Sequence, residues 1–266
     1  MQGKARRQVI IYTLVTLVVS WIYQYYLITY DLVRSSGFVA LVALMWIPGA
    51  MALLYRLSAR MSWKDAGFSW GKPRFYLWAF FLPLVLALLT NVIAIPLGIK
   101  GFAVLPFATL QKRGAMVLIA LGFGIFAAIG EEIGWRGFLL PKMVEGKTWN
   151  PYVLSSVVWA LWHVPIVILD NYYSIHSLVL IALVYSFSIL TSGYVVALLR
   201  VRSGSVWVPV LFHTSHNFFF QLVMPRIFFT GHGPNGDWWE LVGSDGGVVV
   251  GLLYLAGIWI MKRRKV

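Results

Sequence analysis

Two adjacent carboxylates, Glu131 and Glu132, stand about 17 residues into an apolar run that begins near Gly114. An acid near mid-bilayer costs roughly 2.5–3.5 kcal/mol on insertion scales, so such residues are functional candidates by default. Three of the five histidines, His163, His213 and His216, also lie inside apolar runs; His176 and His232 fall between runs. Asn217 follows His213 by four residues and Arg136 follows Glu132 by four, so each pair shares a helical face. A carboxylate with imidazoles supports hydrolysis in two ways. Glu131 with His163 can deprotonate a water directly. Alternatively, Glu131, His163 and His213 form a His2Glu zinc site with its fourth position open to water. In either scheme the Asn217 amide suits an oxyanion hole. Other hydrolytic routes are closed. The chain has no cysteine, no HExxH sequence and no serine in a recognisable nucleophile motif; Ser215, beside two histidines, points away from them at i+2 spacing.

The elements that must position these residues are membrane helices. Of the 266 residues 60% are hydrophobic and 12% charged, where soluble domains run near 45–50% and about a quarter. A spanning helix needs roughly 20 apolar residues. Eight segments qualify: 8–28, 37–56, 75–96, 114–140, 150–169, 177–199, 206–224 and 247–261. The fold class expected is an all-α polytopic transmembrane bundle of about eight spans. Segment 102–110, with Pro106, is too brief to span and reads as re-entrant or interfacial. The first run, Gln8 to about Thr29, is too long for a signal-peptide core, so it reads as a retained span.

The net charge of +13 would suit a nucleic-acid binder, but its distribution does not. With the N-terminus in the cytoplasm, sixteen Lys and Arg fall on the cytoplasmic face and five on the other, the bias that orients membrane proteins. Both termini are then cytoplasmic. The basic surplus serves orientation and attraction to anionic lipid, and Arg200 and Arg202 read as interfacial anchors. The expected location is an integral, multi-pass membrane position, the cell (inner) membrane in a prokaryote. The expected partners are membrane lipids and a membrane-associated peptide or protein, with no nucleic acid.

Depth decides whether the polar residues can meet. Glu131 stands about 9 residues from the cytoplasmic end of its run, His163 about 13 and His213 about 7, which is roughly 14, 20 and 11 Å. One layer in the cytoplasmic half therefore receives all three, and packing alone would need three accidents at one depth. Other polar residues have plainer explanations. Arg136 can simply neutralise Glu132 along one helix, and His216 reads as a hydrogen-bonded core residue.

Three short patterns carry a resemblance. Glu131-Glu132-Ile133-Gly134-Trp135-Arg136 resembles the EExxxR motif of the CAAX-endopeptidase/bacteriocin-processing (CPBP, Abi) family of intramembrane proteases. His163 with Trp159 is similar to its FxxxH motif, with Trp in place of Phe, and His213 with Asn217 to its HxxxN motif. The resemblance divides the chain into helices of residues 1–113, where only the helix count is similar, a core over 114–225, and an external loop with a last helix over 226–266. It implies peptide-bond hydrolysis at a site reached from the cytoplasmic side. Glu131 and His163 would activate water, and His213 and Asn217 would stabilise the oxyanion. Glu132 and Arg136 would support the site, and Trp159 would alter the adjoining groove. The zinc scheme stays open, although only the metal-free one gives the second His and the Asn a role each. Substrates in such a family are prenylated CAAX tails, or leader, signalling and bacteriocin-type peptides. Two other classes compete: a proton-coupled transporter, which the crowding of polar residues into 131–217 disfavours, and a non-catalytic immunity or binding protein on the same scaffold.

Overall fold

In the computed structural model, residues 2–32, 38–101, 105–169, 178–229 and 231–263 are described. Arg34, His176, Arg264 and Lys265, which figure in the basic-charge and histidine distribution, lie outside them. Among the described residues the apolar runs become eight helical rods. They are α1 (Gln2–Thr29), α2 (Phe38–Ser58), α3 (Arg74–Ala94), α4 (Phe107–Gly134), α6 (Pro151–Leu169), α7 (Leu178–Ser203), α8 (Trp207–Asn217) and α10 (Val248–Arg263). Two of these rods continue beyond their α-helix. After α4 comes a π-helical turn, Trp135–Leu139, and then α5 (Leu140–Glu145); after α8 comes a π-helical stretch, Phe218–Phe228. A short α9 (Trp239–Val242) precedes the last rod. Six rods are by themselves long and apolar enough to cross a bilayer: α1 through α4 with its extension, α6 and α7. The chain is an all-α, multi-pass membrane bundle. Its two-residue strands, β1 (Lys100–Gly101) and β2 (Gly231–His232), only tie one loop to another.

The helices begin and end close to where the apolar runs do, with extra turns that carry basic residues. α1 starts at Gln2 rather than residue 8, so Lys4, Arg6 and Arg7 are helical. Phe107 to Leu110 form the first turn of α4, and residues 102–104 lie outside the description. Prolines at 48, 83, 165 and 225 sit inside helical stretches, which membrane helices tolerate where neighbours satisfy the freed groups.

Two clusters hold the rods together. One joins α3, α7, α8 and α10 through Phe75, Leu86, Leu199, Phe212, Tyr254 and Ile258. The other joins α1, α2, the first π turn and α6 through Tyr12, Leu44, Trp135, Phe138, Trp159 and Trp162. Between them, α4 crosses α2 at very short range: a Cβ on Gly49 would stand 2.4 Å from the Gly130 carbonyl oxygen. Small residues at such crossings let backbones approach, since packing rather than hydrophobicity drives helix association in lipid. The crossing sits immediately before Glu131. The outward faces are apolar, with Leu14, Ile22, Leu77, Val92, Leu118, Val179, Leu183 and Leu252 exposed.

Two basic residues differ from expectation. Arg200 is no interfacial anchor: it is 7% exposed, its Nε donates to the Arg136 carbonyl at 2.9 Å and its Nη2 to the Asp65 carbonyl at 2.8 Å. Arg56, counted with the cytoplasmic charges, is likewise buried. Both are drawn inward by unpaired carbonyls that lipid cannot satisfy.

Candidate active site

Neighbouring residues on a helix diverge by about 100°, so the two adjacent acids address different helices. Glu131, 1% exposed, faces α6. Its Oε2 accepts from Trp135 Nε1 at 3.2 Å and from Trp159 Nε1 at 2.8 Å. Glu131 Oε1 takes no hydrogen bond from the described residues. Glu132, 0% exposed, faces α8. Its Oε1 pairs with Arg136 Nη1 at 2.9 Å and with His213 Nδ1 at 2.9 Å. The Arg136 guanidinium also lies over the Trp159 ring, 4.5 Å from its centroid.

The acids are presented by the end of α4, where the helix widens into the π turn. π-helical turns leave backbone carbonyls unsatisfied and recur at functional sites. Here two arginines satisfy them: Arg200 binds the Arg136 carbonyl, and Arg56 Nη2 donates to the Gly137 carbonyl at 2.9 Å. Asp65 anchors these braces from the α2–α3 loop, pairing with Arg56 at 2.8 Å and Lys142 at 3.0 Å. Partial burial pushes its carboxyl up, but the hydrogen bonds and charges of Arg56 and Lys142 outweigh burial and hold it below the usual carboxylate range. Gly67, at φ +79°, lies against Arg200: a Cβ there would stand 2.4 Å from Nη2.

His163 occupies α6 one turn beyond Trp159. Its Nδ1 lies 2.9 Å from the Trp159 carbonyl oxygen. A carbonyl can only accept, so Nδ1 carries the proton and the lone pair of the neutral ring is at Nε2. The ring is wedged between Trp162, centroids 4.7 Å apart, and Trp159, at 5.4 Å. Trp159 thus stands between the members of the site: indole N–H on Glu131, carbonyl on His163, and ring against Arg136 and His213, the last at 5.6 Å. His163 and Glu131 share no direct hydrogen bond or ion pair; Trp159 links them, through its carbonyl and its indole N–H.

α8 carries His213 and, one turn on, Asn217, whose side-chain amide has no hydrogen-bond partner among the described residues. His216 points elsewhere. Its Nδ1 bonds the Tyr254 hydroxyl on α10 at 2.8 Å, as expected of a core histidine. Glu132 Oε2 and the Nε and Nη2 of Arg136 are buried without partners among the described residues. Their desolvation is a cost that a bound water or a substrate oxygen relieves.

The structure therefore gathers the buried Glu131, Glu132, Arg136, Trp159 and His213 and the half-buried His163 into one group, with Asn217 on the same helix as His213. Trp135 had not been singled out from sequence, although its i,i+4 relation to Glu131 is the signal that finds it. Among the described residues no three His, Cys, Asp or Glu side chains converge on a metal position; Glu131 Oε2 is held by two indoles, and His213 Nδ1 is turned to Glu132.

With this geometry in view, comparison with known proteins is direct. Residues 113–219 match the family model of the type II CAAX prenyl endopeptidases, Rce1-like. This match agrees with the resemblance that the three short motifs carry. The match starts about two turns into α4 and ends after Asn217, so it contains every residue of the group. A CAAX prenyl protease 2 from Methanococcus maripaludis is 26% identical over 141 residues, covering 50% of this chain and 51% of that protein. The chain thus spans about half the length of the curated relative it matches.

Proposed function

We propose that the protein is an intramembrane endopeptidase that hydrolyses a peptide bond of a membrane-associated substrate, without a catalytic metal. The observation that carries this reading is the buried Glu131 carboxylate, fixed by two indole N–H groups on one oxygen and uncommitted on the other, beside a histidine whose Nδ1–H is taken by backbone.

The reaction follows from these atoms. A water held between Glu131 Oε1 and His163 Nε2 loses a proton to this pair as its oxygen adds to the scissile carbonyl. Negative charge develops on the carbonyl oxygen. His213, whose Nδ1 is held by Glu132, offers Nε2–H to that oxygen in its protonated form, and Asn217 offers its amide. Such a donor is worth about 2.7–4 kcal/mol by analogy with measured oxyanion holes. Collapse breaks the C–N bond, and the proton taken from water passes to the leaving amine. Glu132 and Arg136 hold His213 and the helix end in place.

The match to the type II CAAX prenyl endopeptidase model and the orientation that the Lys/Arg bias predicts favour a substrate whose cleavage site lies at the cytoplasmic membrane face: a prenylated CAAX tail, or a leader or signalling peptide. The test is a purified chain in liposomes offered a prenylated reporter, the same reporter without lipid, and a leader-type peptide. Cleavage of one of them, lost in Glu131→Gln with folding preserved, is the expected result. Equal cleavage by Glu131→Gln, or no cleavage of any substrate, removes the assignment and favours an immunity or binding role.

A further inference from the structure

α1 lies outside the matched segment, yet it meets α6 where that helix cannot bond itself. Pro165 has no backbone N–H, so the Leu161 carbonyl loses its partner four residues on. Trp21 Nε1 donates to that carbonyl at 3.1 Å. One position along, Gln24 Nε2 donates to the Trp162 carbonyl at 2.8 Å, and Gln24 Oε1 accepts from the Ile166 N–H at 3.0 Å. Trp162 and Ile166 are the pair a straight α-helix joins directly; here one side-chain amide spans them. Insertion of a side chain into the helical ladder is a recognised cause of kinks. Gln24 is 0% exposed and bonded at both ends, so the burial that would make a lone amide costly instead fixes it in place.

His163 sits inside this clamp, immediately after Trp162 and two residues before Pro165. We propose that Gln24, assisted by Trp21, is a positioning residue for His163: the amide sets the kink of α6 and hence the direction of the His163 Nε2 lone pair toward Glu131. The inference rests on the protease reading above and adds α1 to the working parts of the site. It also accounts for a Gln and a Trp placed within a membrane helix at a spacing of three, on the face turned to α6.

The sequence already shows the pattern to which this belongs. Gln8, Tyr12, Thr16, Ser20 and Gln24 recur every four residues along α1 and are all buried. Lipid gives no reason for such a stripe, and at its upper end the partner is the helix that carries His163.

The experiment uses the full chain with the cleaved reporter. Gln24→Met keeps length and shape but removes donor and acceptor. Because a misplacement of about 1 Å can cost roughly 100-fold, kcat is expected to fall about ten-fold or more with KM little changed. Gln24→Glu restores both functions only while protonated, as O–H donor and C=O acceptor, so its rate relative to wild type should fall as pH rises. Should Gln24→Met fail to fold, Trp21→Phe removes one bond alone and should lower kcat by about three-fold. A Gln24→Met protein turning over at the wild-type rate, whatever its melting temperature, overturns the proposal. If the wild-type chain cleaves nothing, the protease reading fails and the clamp is tested by amide exchange. The Ile166 N–H should then exchange about ten-fold faster in Gln24→Met, and unchanged exchange disproves the clamp.

Discussion

Trp159 works through opposite ends of one residue. Its indole N–H holds Glu131 and its carbonyl holds His163; a phenylalanine, which the family pattern carries at this position, could do only the second. Trp159→Phe therefore keeps most of the packing and removes one hydrogen bond to a carboxylate, worth about 1.5–3 kcal/mol. A several-fold loss of kcat in a stably folded variant is expected, since Trp135 still holds the carboxylate. Wild-type turnover would show that the Trp159 bond is dispensable. The metal question belongs to the same scale. The metal-free scheme predicts that purified chain holds far less than one zinc per molecule and that cleavage survives a membrane-permeant chelator. Stoichiometric zinc that disappears in His163→Ala and His213→Ala would overturn the metal-free scheme. Glu131, His163 and His213 were legible in the sequence because lipid disfavours each of them and their depths agree. The indole bonds were not, because spacing along one helix does not say which way a tryptophan on another helix points.

At the scale of elements, the π turn at Trp135–Leu139 shows where sequence reading stops. No residue type announces it, and the arginines that satisfy it look like ordinary interfacial charges. Arg56 and Arg200 stand at the ends of apolar runs, where the orientation rule expects exposed cations; the carbonyls of Arg136 and Gly137, with Asp65 beside them, explain why they turn inward. Replacing Arg200 with Met should strand the Arg136 carbonyl, destabilise the protein by about 1–3 kcal/mol and lower turnover with it. An unchanged melting temperature in detergent would mean the carbonyl finds another donor. The same braces make stability depend on pH through Asp65, outside the spans. Its carboxyl titrates below the ordinary value of 3.8 in the folded chain. Its contribution is thus fully present above the unfolded-state value and is lost as pH falls through the lowered one. Asp65→Asn should melt lower than wild type at neutral pH, and the gap should close in acid; a gap that is independent of pH removes Asp65 from the brace.

At the scale of the whole molecule, chemistry and orientation constrain each other. The rods that carry Glu131, His163 and His213 must enter the bilayer from directions that bring their polar residues to one layer, and the Lys/Arg bias predicts that this layer lies in the cytoplasmic half. The loop between α2 and α3, which holds Asp65, and the turn after α5 are then cytoplasmic, while the start of α4 is external. The eight rods were legible as apolar runs. The polar stripe of α1 was legible in principle as well, at four-residue spacing, but hydrophobic averaging hides five polar residues among so many apolar ones. Because the chain has no cysteine, its orientation can be mapped without background. Ser69→Cys, in the loop before α3, and Lys147→Cys, after α5, lie at exposed positions. Both should react with a membrane-impermeant maleimide only after the cytoplasmic face is opened. Lys112→Cys, in the exposed first turns of α4, should react from outside in intact cells. The reverse pattern would place the Glu131 layer in the outer half of the bilayer, and substrates with cytoplasmic lipid-modified tails could then no longer reach it.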